Sequence, residues 1–330
     1  MNYRKLGHTD INISEIGFGA WGIGGVTPGP TSYGRTDDSV SIGALNKAFE
    51  LGINFYDTAN VYGNGHSEIL IGQTFHQKRT EVVISTKVGC VDFRSPLNFD
   101  SGSILETFEG SLRRLKTDYI DLLMLHDPVP EEHEIAEAFD QLMTLKQAGK
   151  LRALGISVRN PVDCQYFLDN YAIDALQVNF NLMDHRILEL NLLESAMNKG
   201  CSIIARTPLC FGFLTDAVDG YTKFDKDDHR SRWPESQRII WLQGRDLFKS
   251  ELNCSNTNDI ALNALRFCIS FDNIASVIPG IISPDEATFN VKASIEGPLS
   301  SEEVNGIQQI YKETKFFSKR PVGKTTMAEY

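Results

Sequence analysis

Four polar residues sit where apolar runs of the chain end: Asp57 closes "INFYD", Lys87 follows "VVIST", His126 follows "DLLML", and Tyr62 lies five residues beyond Asp57 in "DTANVYG". A carboxylate, an amine, an imidazole and a phenol together make a proton-transfer set. A lysine ending a buried strand needs a counter-ion, because an unpaired ammonium out of water is costly and tends to lose its proton; Asp57 on a neighbouring strand can be that partner. A cation beside a phenol favours the ionised form, so Lys87 is expected to draw Tyr62 below its usual value of about 10 and make it a general acid. His126, as a hydrogen-bond donor, can orient a carbonyl oxygen or share its developing charge. The set suits protonation of a carbonyl oxygen while another group attacks the carbon. A desolvated Lys87 acting as a Schiff-base nucleophile is the competing chemistry, although a close Asp57 would keep that amine protonated.

Taken singly, an Asp, Lys, Tyr or His at a strand end is more often a cap or a surface group. The argument for a site is therefore the joint arrangement, which depends on the elements beneath it. Short β-rich runs alternate with amphipathic stretches of helix length: "EIGFGA", "INFYD", "VVISTKV", "DYIDLLMLH", "LRALGIS", "ALQVNF", "SIIART" and "SVIPG" read as eight strands. Between them Ile104, Phe108, Leu112 and Leu115, then Ile135, Phe139, Leu142 and Leu145, recur at helical spacing, and "QAGK" and "NKG" supply glycines where helices should stop. Eight such units without a composition break or a GxGxxG predict an α/β fold closed as a (β/α)8 barrel rather than a doubly wound sheet, in one domain spanning residues 1–330. Strand C-termini converge on one mouth of such a barrel, so the second, third and fourth strands bring the four residues together.

Two segments are too long for ordinary connections: "WGIGGVTPGPTSYGRTDD" after the first strand and "LCFGFLTDAVDGYTKFDKDDHRSRWPESQ" after the seventh, both on the mouth face. Helices near 255–270 and 302–312 read as additions to the barrel, and 317–330 reads as a loosely held tail. With 42% hydrophobic and 23% charged residues the composition is that of an ordinary globular chain, and a net charge of -11 argues against nucleic acid and anionic membrane as partners. A small molecule is the expected partner. The six cysteines show no CxxC pairing or companion histidines, which points to reduced thiols and no metal site. The N-terminus has no apolar h-region and no run is long enough to span a membrane, so a cytoplasmic location is expected and the N-x-S matches at Asn12 and Asn253 are read as chance.

These motifs resemble the aldo-keto reductases. "MNYRKLGHTDINISEIGFGAW" looks like the family's N-terminal hairpin and first strand and "GINFYDTANVYGNGHSE" like its "FDTAxxYG…SE" signature, with "ISTKVG", "LRRLKTDYIDLLMLHDP", "KLRALGIS", "LQVNFN" and "SVIPG" following in the family's order. The resemblance implies hydride transfer between a nicotinamide cofactor and a carbonyl carbon, with Asp57, Tyr62, Lys87 and His126 as the tetrad. It also allows oxidation of a sugar hydroxyl, or a non-catalytic cofactor-binding subunit such as serves some channels.

By the same likeness Ser157 and Gln177 hold the nicotinamide carboxamide, with Val158 where an Asn usually follows that Ser, and Ala20 and Trp21 join the cofactor contacts. "RTPLCFGFL" resembles the pyrophosphate-covering loop, bringing Thr207, Pro208, Leu209, Gly212 and Leu214 to the phosphates. Arg206 replaces the aromatic residue that commonly stacks on nicotinamide; a guanidinium can stack there, favouring the neutral reduced ring, or pair with a phosphate. "IPGIISPDEATFN" is similar to the adenosine site, with Asn290 as an adenine contact, but Gly280 and Glu286 stand where many members carry the Lys and Arg that bind a 2′-phosphate. Arg230 in the long loop can restore a cation. Family usage puts NADP(H) first, with NAD(H) as the alternative. Trp21 and Phe93 are expected walls of the substrate pocket.

Overall fold

The computed structural model describes residues 1–29, 31–130 and 134–318. A short antiparallel hairpin, β1 (Tyr3–Lys5) and β2 (Asn12–Ser14), precedes the alternation β3 (Phe18–Gly19), α1 (Asp38–Glu50), β4 (Phe55–Asp57), α2 (His66–Phe75), β5 (Val83–Val88), α3 (Ser101–Leu115), β6 (Ile120–His126) and α4 (Ile135–Gln147). It continues with β7 (Leu151–Ser157), α5 (Cys164–Asn170), β8 (Ala175–Asn179), α6 (Arg186–Glu189), α7 (Leu192–Asn198), β9 (Ser202–Arg206), α8 (Glu235–Glu251), α9 (Thr257–Ile269), β10 (Ile274–Ile278), α10 (Pro284–Glu296) and α11 (Ser301–Glu313).

Strands β3 to β10 form one eight-stranded parallel sheet in sequence order. Its edges meet: Gly17 N donates to Val277 O and Gly19 N to Pro279 O, each at 2.9 Å, with parallel bridges Ile16 to Val277 and Gly19 to Gly280. The result is the expected (β/α)8 barrel. Strand side chains alternate between two destinations. Phe55, Val83, Leu122, Met124, Ala153, Ala175, Ile204 and Ala275 fill the inside, and Leu6, Ile11 and Ile13 of the hairpin seal its N-terminal end with them. The other face of each strand joins the layer under the helices, where Ile104, Phe108 and Leu115 of α3 and Ile135, Phe139, Leu142 and Leu145 of α4 are buried as their spacing predicts. Gly149 and Gly200 take positive φ (both 72°) where α4 and α7 have ended, the left-handed turn that glycine adopts without strain.

Inside the barrel, the N-terminal end is filled by apolar side chains and the buried Asp57, Lys87 and Gln177 lie toward the C-terminal mouth. The two helices outside the barrel are α8 and α11, which pack together. The helix expected as an addition near 255–270 is instead α9, the regular connection from β9 to β10. Helix α8 is hidden in sequence behind the long polar loop that precedes it. The tail expected at 317–330 begins held: Phe317 lies edge-on to Trp241 at 6.2 Å, and Ser318 N donates to Gln237 Oε1 at 2.7 Å. Residues 319–330 lie outside the described residues. Among the described residues no helix is long and apolar enough to cross a membrane, no group of side chains could hold a metal ion, and all six cysteines are free.

Candidate active site

Asp57 ends β4, Lys87 is the penultimate residue of β5 and His126 ends β6, so three adjacent strands deliver them to one level of the mouth. Lys87 is fully buried; its Nζ donates to Asp57 Oδ2 and to Thr58 O, both at 2.8 Å, and reaches Tyr62 Oη at 3.3 Å. Ser85 Oγ (3.1 Å) and Gln177 Nε2 (2.8 Å) complete the shell of Asp57 Oδ1. An ammonium out of water is tolerable only with such a full set of partners. The loop after β4 returns Tyr62 over Lys87 because the backbone at Gly63, at φ 62°, packs directly on Gly24, where a Cβ would strike the Gly24 carbonyl oxygen. His126 stands edge-on to the Tyr62 ring, centroids 6.2 Å apart, and its buried Nδ1 has no partner among the described residues.

The electrostatics correct one expectation. Burial is the largest influence on Tyr62 and raises its pKa; Lys87 does pull it down, as the sequence suggested, yet the balance leaves Tyr62 above its ordinary value. The phenol therefore holds its proton at neutral pH. For Lys87, burial disfavours the charge, but Asp57 and Tyr62 more than offset this and raise its pKa, so the amine stays protonated. Burial drives His126 down to about 3, leaving a neutral imidazole.

A second ring lies around this group. Ser157 Oγ donates to Gln177 Oε1 at 3.2 Å, and Arg206 brings its guanidinium to Ser157 Oγ (3.3 Å), Asn179 Oδ1 (3.0 Å), Val158 O (3.1 Å) and Asp127 Oδ1 (3.4 Å). Asp127, which adopts positive φ directly after His126, also pairs with Arg159 at 2.8 Å. Despite burial, the two arginines hold the Asp127 carboxyl well below the usual carboxylate range. Sequence reading missed Asp127, Arg159, Ser85 and Asn179. Period-two alternation along the strands could have found two of them, since Ser85 precedes Lys87 by two and Asn179 follows Gln177 by two.

The two long loops close over the mouth. Ser32 pairs with Asp228 in a parallel bridge, His229 N donates to Ser32 O at 2.9 Å, and the His229 ring packs on Trp21 (4.7 Å) and Tyr33 (4.5 Å). Trp21 in turn stacks on Tyr62 at 6.0 Å, and Phe93 lies on Trp21 at 6.3 Å. Buried Ala20 donates its N–H to Asp57 O at 2.9 Å. Thr207 Oγ1 is held by Asn179 Oδ1 at 3.1 Å, and the stretch Pro208, Leu209, Gly212 and Leu214 turns through positive φ at Gly212 (92°). Arg230 NH1 would lie 3.5 Å from a Cβ at Gly212, so that cation overhangs the turn, but its fork grips Asp228 at 2.7 and 3.0 Å. At the far end Gly280 and Glu286 are exposed and Asn290 is buried; Glu286 Oε2 accepts from Ile282 N at 2.7 Å.

This donor set fits a nicotinamide group. Ser157 and Gln177 carry a hydroxyl and an amide of the kind that would meet a carboxamide, and the buried His126 Nδ1, without a partner among the described residues, has hydrogen-bonding capacity to spare.

Residues 15–312 match the model of the aldo/keto reductase family, and the chain belongs to that family. It is 34% identical over 245 residues to the aldo-keto reductase YhdN of Bacillus subtilis (72% of this chain, 71% of that one). Over 87% of this chain and 92% of the relative it is 30% identical to the NADH-specific methylglyoxal reductase of Escherichia coli. Among solved structures, the glycerol dehydrogenase AKR11B4 from Gluconobacter oxydans superposes with a TM-score of 0.79 at 28% identity, covering 99% of both chains. The family uses nicotinamide cofactors, and carbonyl reduction is its chemistry.

Proposed function

We propose that the protein reduces an aldehyde or ketone to an alcohol with Tyr62 as the general acid. The reading is carried by one observation: a buried phenol oxygen 3.3 Å from a buried lysine Nζ that a carboxylate holds in place, beside an imidazole whose Nδ1 has no partner among the described residues. The bound nicotinamide supplies a hydride to the carbonyl carbon. As negative charge grows on the carbonyl oxygen, Tyr62 gives it the phenolic proton, and Lys87 stabilises the phenolate left behind until solvent restores the proton. Asp57 keeps Lys87 charged and fixed. His126 directs the carbonyl oxygen toward Tyr62. Ser157 and Gln177 would hold the carboxamide, and Arg206, anchored on Ser157 rather than near the Gly212 turn, would favour the neutral reduced ring over the oxidised cation.

For the cofactor, the geometry leans to NAD(H) over the NADP(H) that family usage puts first. Glu286 would repel a 2′-phosphate and accept from ribose hydroxyls, Gly280 offers no charge, and Arg230 is neutralised by Asp228. The relative named as an NADH-specific reductase points the same way. Against a Schiff-base lyase stands the charged state of Lys87, and against a purely regulatory cofactor-binding subunit the complete proton path. A steady-state screen of aldehydes, ketones and sugars with NADH and NADPH in parallel tests both parts. No turnover with either cofactor defeats the reductase reading, and kcat/KM higher with NADPH reverses the cofactor assignment.

A further inference from the structure

The proton path uses one buried imidazole, His126, and leaves a second at the mouth unused. His229 is 4% exposed, and its Nε2 has no partner among the described residues. It opens the short turn His229–Arg232, which is fixed on both sides: Asp228 Oδ1 accepts from Arg230 N at 2.8 Å, and His229 N donates to Ser32 O at 2.9 Å across the clasp of the two long loops. Other rings set the position of the imidazole, with Tyr33 edge-on at 4.5 Å, Trp21 at 4.7 Å and Phe211 at 5.5 Å. From His229 a row of rings leads to the chemistry. Trp21 stacks on Tyr62 at 6.0 Å, and Tyr62 meets His126 at 6.2 Å. The row therefore ends in two buried nitrogens without partners, His126 Nδ1 beside the phenol and His229 Nε2 two ring contacts from it. Packing does not account for the second, because a phenylalanine would make the same ring contacts without burying an unmet polar atom.

We propose that His229 is a specificity-determining residue: its Nε2 pairs with a hydroxyl that the substrate carries away from its carbonyl, so the substrate is a hydroxylated aldehyde or ketone lying along Trp21. The charges around the ring favour a hydroxyl over an ion. Asp228, next to His229, is already matched by Arg230 at 2.7 Å, and burial drives the His229 imidazole down to about 3, which leaves it neutral. A hydroxyl both donates and accepts, so it meets Nε2 in either tautomer. Between the two ends the indole of Trp21 offers an apolar ring to the C–H groups of such a chain. A site of this kind selects mainly by rejection, since a compound without the hydroxyl leaves the buried nitrogen unpaired.

This inference rests on the reductase reading, and the two can fail separately. Erythrose, xylose and glucose would be compared with butanal, pentanal and hexanal, using NADH and NADPH, for the natural protein and for His229→Phe. Each rate is referred to the concentration of free aldehyde. The expected result is a higher kcat/KM for the hydroxylated member of at least one pair. His229→Phe, which keeps a ring against Trp21, should cut that hydroxylated-to-unsubstituted ratio by about 10- to 100-fold, the range for a buried polar group left without its partner. Equal use of both members of every pair by the natural protein overturns the assignment and leaves the reductase standing, whether or not the variant folds. A ratio unchanged in His229→Phe also overturns it and makes the histidine a packing residue. If no aldehyde turns over, the reductase reading fails by itself, and calorimetric titration of xylitol into the protein with NAD+ decides. Binding weakened in His229→Phe supports the contact, and no binding to the natural protein refutes it.

Discussion

At the scale of single residues, the chemistry depends on how burial and charge divide between Tyr62 and Lys87. Because burial outweighs the pull of Lys87, the Tyr62 phenol is pushed above its ordinary value and keeps its proton at neutral pH. Carbonyl reduction under saturating substrate and cofactor should therefore hold a level kcat from pH 6 to 9; a fall within that range would mean a different acid. Replacing the phenol by Tyr62→Phe should lower kcat by about 10²- to 10⁴-fold while fluorescence titration shows cofactor binding retained. Full activity in that variant would sink the assignment. Lys87→Met removes the partner of Asp57 and leaves a carboxylate 3% exposed with only neutral donors. A loss of about 3–5 kcal/mol in urea unfolding is expected, and a change within error would mean that Asp57 is not relying on Lys87 for its charge.

At the scale of elements, the site is a product of loops pinned at close approaches rather than of the strands alone. Strands β4, β5 and β6 fix three of the four residues, but Tyr62 depends on the contact of Gly63 with Gly24, which joins the loop after β4 to the loop after β3. Gly63→Ala adds a side chain at positive φ and against a backbone oxygen, so it should cost at least about 1 kcal/mol and displace the phenol from Lys87. The informative outcome is kcat falling further than folded fraction; activity that tracks the folded fraction would show that Tyr62 does not need this contact. The clasp of Ser32 with Asp228 is the other such joint, since it draws the loop after β9 across the mouth and places His229 between Trp21 and Tyr33.

At the scale of the whole molecule, three buried histidines, His126, His185 and His229, are each pushed down to about 3 by burial, from an ordinary value near 6.5. The unfolded chain binds these protons first, so their contribution is complete above about pH 6.5 and is lost progressively as pH falls toward 3. Each contributes up to about 1.4 kcal/mol per pH unit within that window. Urea midpoints should fall between pH 7 and 5, and His185→Phe, which preserves a ring stacked between Phe267 and Tyr311, should make the decline shallower. An unchanged slope would show that His185 does not stay neutral in the fold. How much of all this was legible in the chain depends on the range of the physics. The eight strands, the helix faces and the glycine stops could be read because periodicity and φ preference act over a few residues. The meeting of Asp57, Lys87 and His126 followed once the order of parallel strands was known. Three things required the tertiary structure. Asp127 gains its meaning from Arg159 and Arg206, which are 32 and 79 residues away. Helix α8 sits outside the barrel, where it packs on the sequence-distant α11. The proton on Tyr62 is set by how far water is excluded around it, and exclusion is a sum over many distant segments that no local pattern encodes.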